Sequence, residues 1–221
     1  MTRARDALSA KRRSLPMVKL DKAYRFEGPE GSVGLADLFQ GQRQLIMQHF
    51  MFDPSWDDGC PSCSAAADEL SDGLLAHLRA RSTAFVAVSR APLAKLERYK
   101  TSRGWTFPWY SSSGSDFNYD FHVSIDSSIT QPEFNFRGPD ELASAGMGWL
   151  LESPSEQPGY STFLAEDGEI FHTYSTFARG TEWLGGSYAF LDLTALGRQE
   201  DWEEPKGRAA IVRGPTPDFS V

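Results

Sequence analysis

The 221-residue sequence contains two cysteines, and both lie in one tetrapeptide, Cys60-Pro61-Ser62-Cys63. Thiols at this spacing can close to a disulfide and reopen, which is the chemistry of dithiol redox proteins. With Cys60 at a helix cap and Pro61 at the first helical position, the Cys60 sulfur faces unpaired backbone N–H groups and the positive end of the helix dipole. Those interactions favour thiolate over thiol. Cys63, on the same helix face, can attack a mixed disulfide formed at Cys60 and release the partner. Cys60 is therefore assigned as nucleophile and Cys63 as resolving thiol, with Pro61 and Ser62 completing the motif. Asp57 and Asp58 work the other way unless solvent screens them, because nearby carboxylates disfavour a thiolate.

The other chemistry-bearing residues are scattered. A zinc site would need Cys60, Cys63 and two of His49, His77, His122 and His172, since one Cys-X-X-Cys supplies only half the ligands. His172, on a predicted strand next to the sheet centre, could approach the motif, while His49 reads as a core histidine. Arg90, after the end of a predicted parallel strand, and Arg179 could supply positive charge for a substrate, although surface solvation explains either. Trp105, Phe107, Trp109, Tyr110, Phe117, Tyr119 and Phe121 are read first as packing beneath an insertion and second as a substrate wall. Dinucleotide, phosphate-loop, zinc-protease and nucleophile-elbow motifs are absent.

The elements that must position the cysteines follow from hydropathy. Gln44 to Phe52 is a nearly continuous apolar run, suited to a strand covered on both faces. After it, Ala66, Leu70, Leu74, Leu75 and Leu78 mark one face of a helix over Pro61 to Arg81. Thr83 to Ser89 reads as the next buried strand and Pro92 to Arg103 as a helix, giving a parallel right-handed crossover. Tyr24 to Leu38 forms a hairpin around Gly28-Pro29-Glu30-Gly31, and Ser161 to Ala165 and Glu169 to Ser175 form another around Asp167-Gly168. Trp105 to Ser113 is a third strand unless Pro108 makes it an irregular segment, and Pro108 would hold such a strand to an edge. A short helix lies near Pro139 to Leu151, and Glu182 to Leu193 closes the fold as a helix. The fold class is α/β, with a central mixed sheet flanked by helices. Residues 1–20 are an N-terminal arm, 21–196 the domain with an insertion over 124–160, and 197–221 a C-terminal tail.

Thirty acidic against 22 basic side chains give a net charge of −8, the wrong sign for wrapping a phosphate backbone, so no nucleic acid partner is expected. With 40% hydrophobic residues the chain is globular. No apolar run spans a membrane and Met1 to Ala10 lacks a secretory core, so a cytoplasmic address is the default. The basic arm (Arg3, Arg5, Lys11, Arg12, Arg13) reads as a solvated helix face.

Several blocks, in one order over residues 12–200, resemble a bacterial thioredoxin-like family catalogued as domain of unknown function 899. They are Phe50-Met51-Phe52-Asp53-Pro54-Ser55-Trp56, Gly59-Cys60-Pro61-Ser62-Cys63-Ser64, Val88-Ser89-Arg90-Ala91-Pro92, Gly114-Ser115-Asp116-Phe117-Asn118-Tyr119-Asp120-Phe121, Phe171-His172-Thr173-Tyr174-Ser175, Ala178-Arg179-Gly180 and Leu191-Asp192-Leu193-Thr194. The resemblance implies a thioredoxin-like fold and a dithiol-disulfide oxidoreductase role, with Trp56 supporting the motif. Gly-Cys-Pro-Ser-Cys departs from the Trp-Cys-Gly-Pro-Cys of thioredoxin toward the Cys-Pro-X-Cys order of glutaredoxins. Pro158 is the nearby candidate for the cis-proline that thioredoxins place before the strand facing their cysteines. Peroxiredoxins share the early hairpin and strand-helix order, but their Thr-X-X-Cys motif is absent.

The expectation is a thiol-disulfide oxidoreductase acting on a protein or small-molecule thiol or disulfide, with no bound cofactor, no metal and no membrane partner. A homo-oligomer stays open. The alternatives are a non-catalytic binding module on the same frame, and a metal-stabilised Cys2His2 domain.

Overall fold

The computed structural model describes residues 2–207 and 210–214, so part of the expected tail (208–209 and 215–221) lies outside the described residues. The arm is a helix, α1 (Thr2–Arg13), followed by a two-residue strand, β1 (Val18–Lys19). Strands β2 (Arg25–Gly28) and β3 (Gly31–Gly34) form the first hairpin, with Gly31 at φ 111°. Then come β4 (Gln44–His49), α2 (Pro61–Asp68), α3 (Asp72–Arg79), β5 (Thr83–Ser89), α4 (Leu93–Arg103) and β6 (Trp109–Ser111). The chain continues through α5 (Phe117–Asp120), β7 (Ser124–Ile125), α6 (Pro139–Ser144) and β8 (Ser155–Glu156) to the second hairpin, β9 (Gly159–Glu166) and β10 (Glu169–Phe177), and then α7 (Gly186–Leu191). Asp167 (φ 54°) and Gly168 (φ 82°) both take the left-handed conformation that a two-residue hairpin turn requires.

Eight strands form one mixed sheet in the order β1-β10-β9-β4-β5-β6-β2-β3. β4, β5 and β6 are parallel, and β9 runs antiparallel to β4. All seven residues of β5 are buried, as a strand covered on both faces demands. Successive side chains of β4 leave for opposite layers. Leu45 and Met47 join Val86, Val88, Phe117, Phe121 and Phe163, while Ile46 packs with Phe85, Ala87, Leu96, Trp109 and Cys63. The sheet thus separates a helix-covered layer holding the cysteines from a second apolar layer.

Four expectations change. The single helix over Pro61 to Arg81 is two helices, because Ser71 is extended (φ −86°, ψ 157°) and its Oγ accepts from the Leu74 N–H, capping a new start. The strand after Pro108 is internal, between β5 and β2, and Pro108 contributes only its carbonyl, which accepts from the Ala87 N–H at 2.9 Å. The closing helix breaks into a 3-10 segment (Ala178–Leu184) and α7, separated by an extended Gly185 (φ −84°, ψ 152°). The aromatic segment is divided by the sheet: Trp105, Phe107 and Trp109 lie in the layer with Cys63, and Phe117 and Phe121 in the other. Within 124–160, β7 and β8 pair, and Ile125, Phe134, Leu142 and Leu150 are buried in the second layer.

Candidate functional site

The loop from β4 to α2 is held from three sides. Its neck is tied to the end of β5, where the Ala91 N–H donates to the Phe52 carbonyl at 2.8 Å. Lys95 Nζ on α4 donates to the carbonyls of Pro54 (2.8 Å) and Trp56 (2.7 Å). The Cys60 N–H donates to the Met51 carbonyl at 3.0 Å, which returns the chain beneath its own loop. Gly59 is obligatory for that return, since a Cβ there would stand 2.7 Å from the Phe50 ring and 3.1 Å from Tyr99.

Cys60 is the N-cap of α2 and Pro61 its first residue, so the helix begins at the motif. Cys60 is half-buried and Cys63 buried, and both are free thiols. The Cys63 S–H donates to the Cys60 sulfur, and the Cys63 and Ser62 backbone N–H groups are turned toward it; against the opposing effect of burial, these hold the Cys60 thiol down at about 6. The hydrogen bond to Cys60, burial and the Cys60 charge all push Cys63 well above the ordinary thiol range. Asp57 and Asp58 are exposed, where solvent screens them, and neither raises Cys60. Trp56 packs against the apolar layer beneath the motif.

Arg90 is tied to a buried carboxylate: Nη1 donates to Glu156 at 2.8 Å, and the guanidinium lies over the Tyr119 ring at 5.2 Å. Glu156 also accepts from Ser124 Oγ (2.9 and 2.8 Å) and Asn118 Nδ2 (3.4 Å), and burial raises it above the ordinary carboxylate range. Arg179 pairs with Glu182 and stacks on Trp202, 3.2 Å from the ring centroid, within the C-terminal segment. His172 does not approach the cysteines. Its ring packs on Phe121 and Phe163, across the sheet from α2. There it joins a buried chain of three 2.7 Å hydrogen bonds, His49 Nε2 to Ser161 Oγ, Ser161 Oγ to Ser175 Oγ, and Ser175 Oγ to His172 Nε2. The sheet therefore separates the parts of the Cys2His2 alternative. Among the described residues no three His, Cys, Asp or Glu side chains are placed to share a metal ion.

Sequence reasoning missed Tyr160, Glu156 and the two serines of the histidine chain. Tyr160 is packed in the same layer as the cysteine pair, and burial, with the charges of Cys63 and Glu69, raises its phenol. Strand alternation would have placed it there, had the strand been started at Gly159 rather than Ser161. Pro158 directly precedes β9 but its peptide bond is trans.

A dithiol at the start of the helix after a central strand, with a parallel neighbour on one side and an antiparallel hairpin on the other, defines a thioredoxin-like domain. More particularly, the chain belongs to the family described as bacterial protein of unknown function (DUF899), whose profile matches residues 1–213. No curated protein matches the chain. Among solved structures it is similar to the bacterioferritin comigratory protein of Xanthomonas campestris, at 12% identity over 72% of this chain and 83% of that one, with a TM-score of 0.45. Peroxidoxin BcpB of Mycobacterium tuberculosis gives 16% identity, 71% and 81% coverage and a TM-score of 0.44. A putative protein disulfide isomerase of Bacteroides thetaiotaomicron gives 15%, 77%, 86% and 0.41.

Proposed function

We propose that the protein is a thiol-disulfide oxidoreductase acting on a protein or small-molecule disulfide. One observation carries this reading: a half-buried Cys60 at the N-cap of α2, with the buried Cys63 thiol one turn along the same helix and the Cys60 thiol lowered. The Cys60 thiolate attacks one sulfur of the partner disulfide, forming a mixed disulfide and expelling the first partner thiolate. Cys63 then loses its proton, attacks the Cys60 sulfur and expels the second partner thiolate. Two protein thiols become the Cys60–Cys63 disulfide, the partner gains two electrons, and the two protons released equal those the leaving thiolates take up.

Alkylation mass spectrometry across redox buffers from roughly −180 to −300 mV tests redox competence without a substrate guess. A reversible Cys60–Cys63 couple in that window, loss of turnover in Cys60→Ser and trapped mixed disulfides in Cys63→Ser are expected. Thiols that stay reduced throughout, or equal activity in all three proteins, would overturn the reading.

A further inference from the structure

We propose that α1 and residues 14–18, together with residues 183–204, form the face through which two copies of this chain associate about a twofold axis. Helix α1 has no buried residue. An isolated 12-residue helix is marginal in water, and this one meets its own fold at Arg12, whose guanidinium lies 5.4 Å from the Tyr174 ring centroid and 5.5 Å from that of Trp183. The same contact places the arm beside the C-terminal segment.

Both halves of that neighbourhood present apolar side chains to solvent. Leu8, Leu15 and Val18 are exposed on the arm, and Trp183, Phe190 (74%) and Leu193 (78%) on the segment. Large apolar side chains exposed on two segments that meet at Arg12 and Trp183 are the kind of feature that marks an association surface. The charges select the partner. Thr2–Arg13 carries five basic side chains against one acidic, whereas residues 183–204 carry five acidic against one basic. That one, Arg198, is paired with Glu182 and Asp192. A nucleic acid or an anionic membrane would attract the helix and be repelled by the segment beside it. A second copy satisfies both, because a twofold axis lays each basic helix on the partner's acidic segment, the self-complementary arrangement of an isologous interface. It would also cover β1, whose two residues form an exposed edge of the sheet.

Sedimentation velocity and light scattering of the full chain test this, with a mass of twice 24.6 kDa expected. Arg3→Glu/Arg5→Glu should weaken the dimer at least about tenfold. It puts acidic groups in the first turn of α1, where the dipole favours them, so helicity followed by circular dichroism is retained. Asp201→Lys/Glu204→Lys should weaken it similarly, and mixing the two variants should restore a heterodimer. A wild-type chain that stays at 24.6 kDa, a dimer indifferent to both charge reversals, or no restoration on mixing would overturn the proposal.

Discussion

The Cys63 thiol donates its hydrogen bond to the Cys60 sulfur, and this contact lowers Cys60 and raises Cys63. Because Cys63 gives that hydrogen bond and is buried, its proton is the last to leave. The same proton stabilises negative charge on the half-exposed neighbour. Cys60 is thereby an anion at neutral pH through S–H and N–H dipoles, with no lysine or arginine among the described residues lowering it.

Removing that donor is the direct check. In Cys63→Ala the pH midpoint for alkylation of Cys60 by iodoacetamide should rise from about 6 toward the ordinary thiol range, cutting the rate at pH 6.5 several-fold. Cys63→Ser, which keeps a donor, should move it less. Equal midpoints in both variants and wild type would show that the helix N–H groups do the work.

Gly59 controls where Cys60 stands. Gly59→Ala sets a methyl 2.7 Å from the Phe50 ring, so either ring or loop must shift. A loss of about 1–3 kcal/mol in urea unfolding and a raised Cys60 alkylation midpoint are expected together. A stability loss with an unchanged midpoint would detach the loop from thiolate stabilisation.

The buried histidines predict acid sensitivity with a definite sign. Burial, and to a lesser degree the charge of His172, lower His49 to about 3, and burial also lowers His172, so both are neutral in the fold at pH 7. Above the unfolded value near 6.5 neither state binds the proton. As pH falls below it, the unfolded chain takes up protons that the folded one refuses, so stability is lost down to the folded value. His49 alone should cost about 1.4 kcal/mol per pH unit, or about 2 kcal/mol between pH 6.5 and 5. Urea titrations at pH 7.5 and 5.0 should show a shallower pH slope in His49→Gln, and an unchanged slope would refute the assignment.

Arg90 and Glu156 should prove structural through a double-mutant cycle. Arg90→Met leaves the Glu156 carboxylate buried without its cation, at a cost of about 3 kcal/mol, the lower end for a pair whose arginine reaches solvent. Adding Glu156→Leu should recover most of it. A folded, stable Arg90→Met with a raised KM for disulfide substrates would instead place Arg90 at the substrate.

The local patterns of the sequence were enough for the elements that present the thiols. The apolar run of β4, the fully buried β5, the turn at Asp167-Gly168 and the cap-proline order at Cys60-Pro61 are short-range, so continuous hydropathy and turn and cap residues report them directly. Ser71 was legible in principle but was outweighed by the helical spacing of Leu70, Leu74 and Leu78, although its Oγ starts a new helix at that point. Which face of the sheet each side chain joins is a different kind of fact. It depends on strand order and register, fixed by contacts over a hundred residues apart in the chain. Hence His172, expected next to the sheet centre and within reach of the motif, lies across the sheet from the cysteines, while Tyr160 is packed in the layer that holds Cys63. The thiols and their chemistry are written in one tetrapeptide. Their surroundings, their division into thiolate and thiol, and the pairing of Arg90 with Glu156 exist only once β4, β5 and β9 have closed into one sheet.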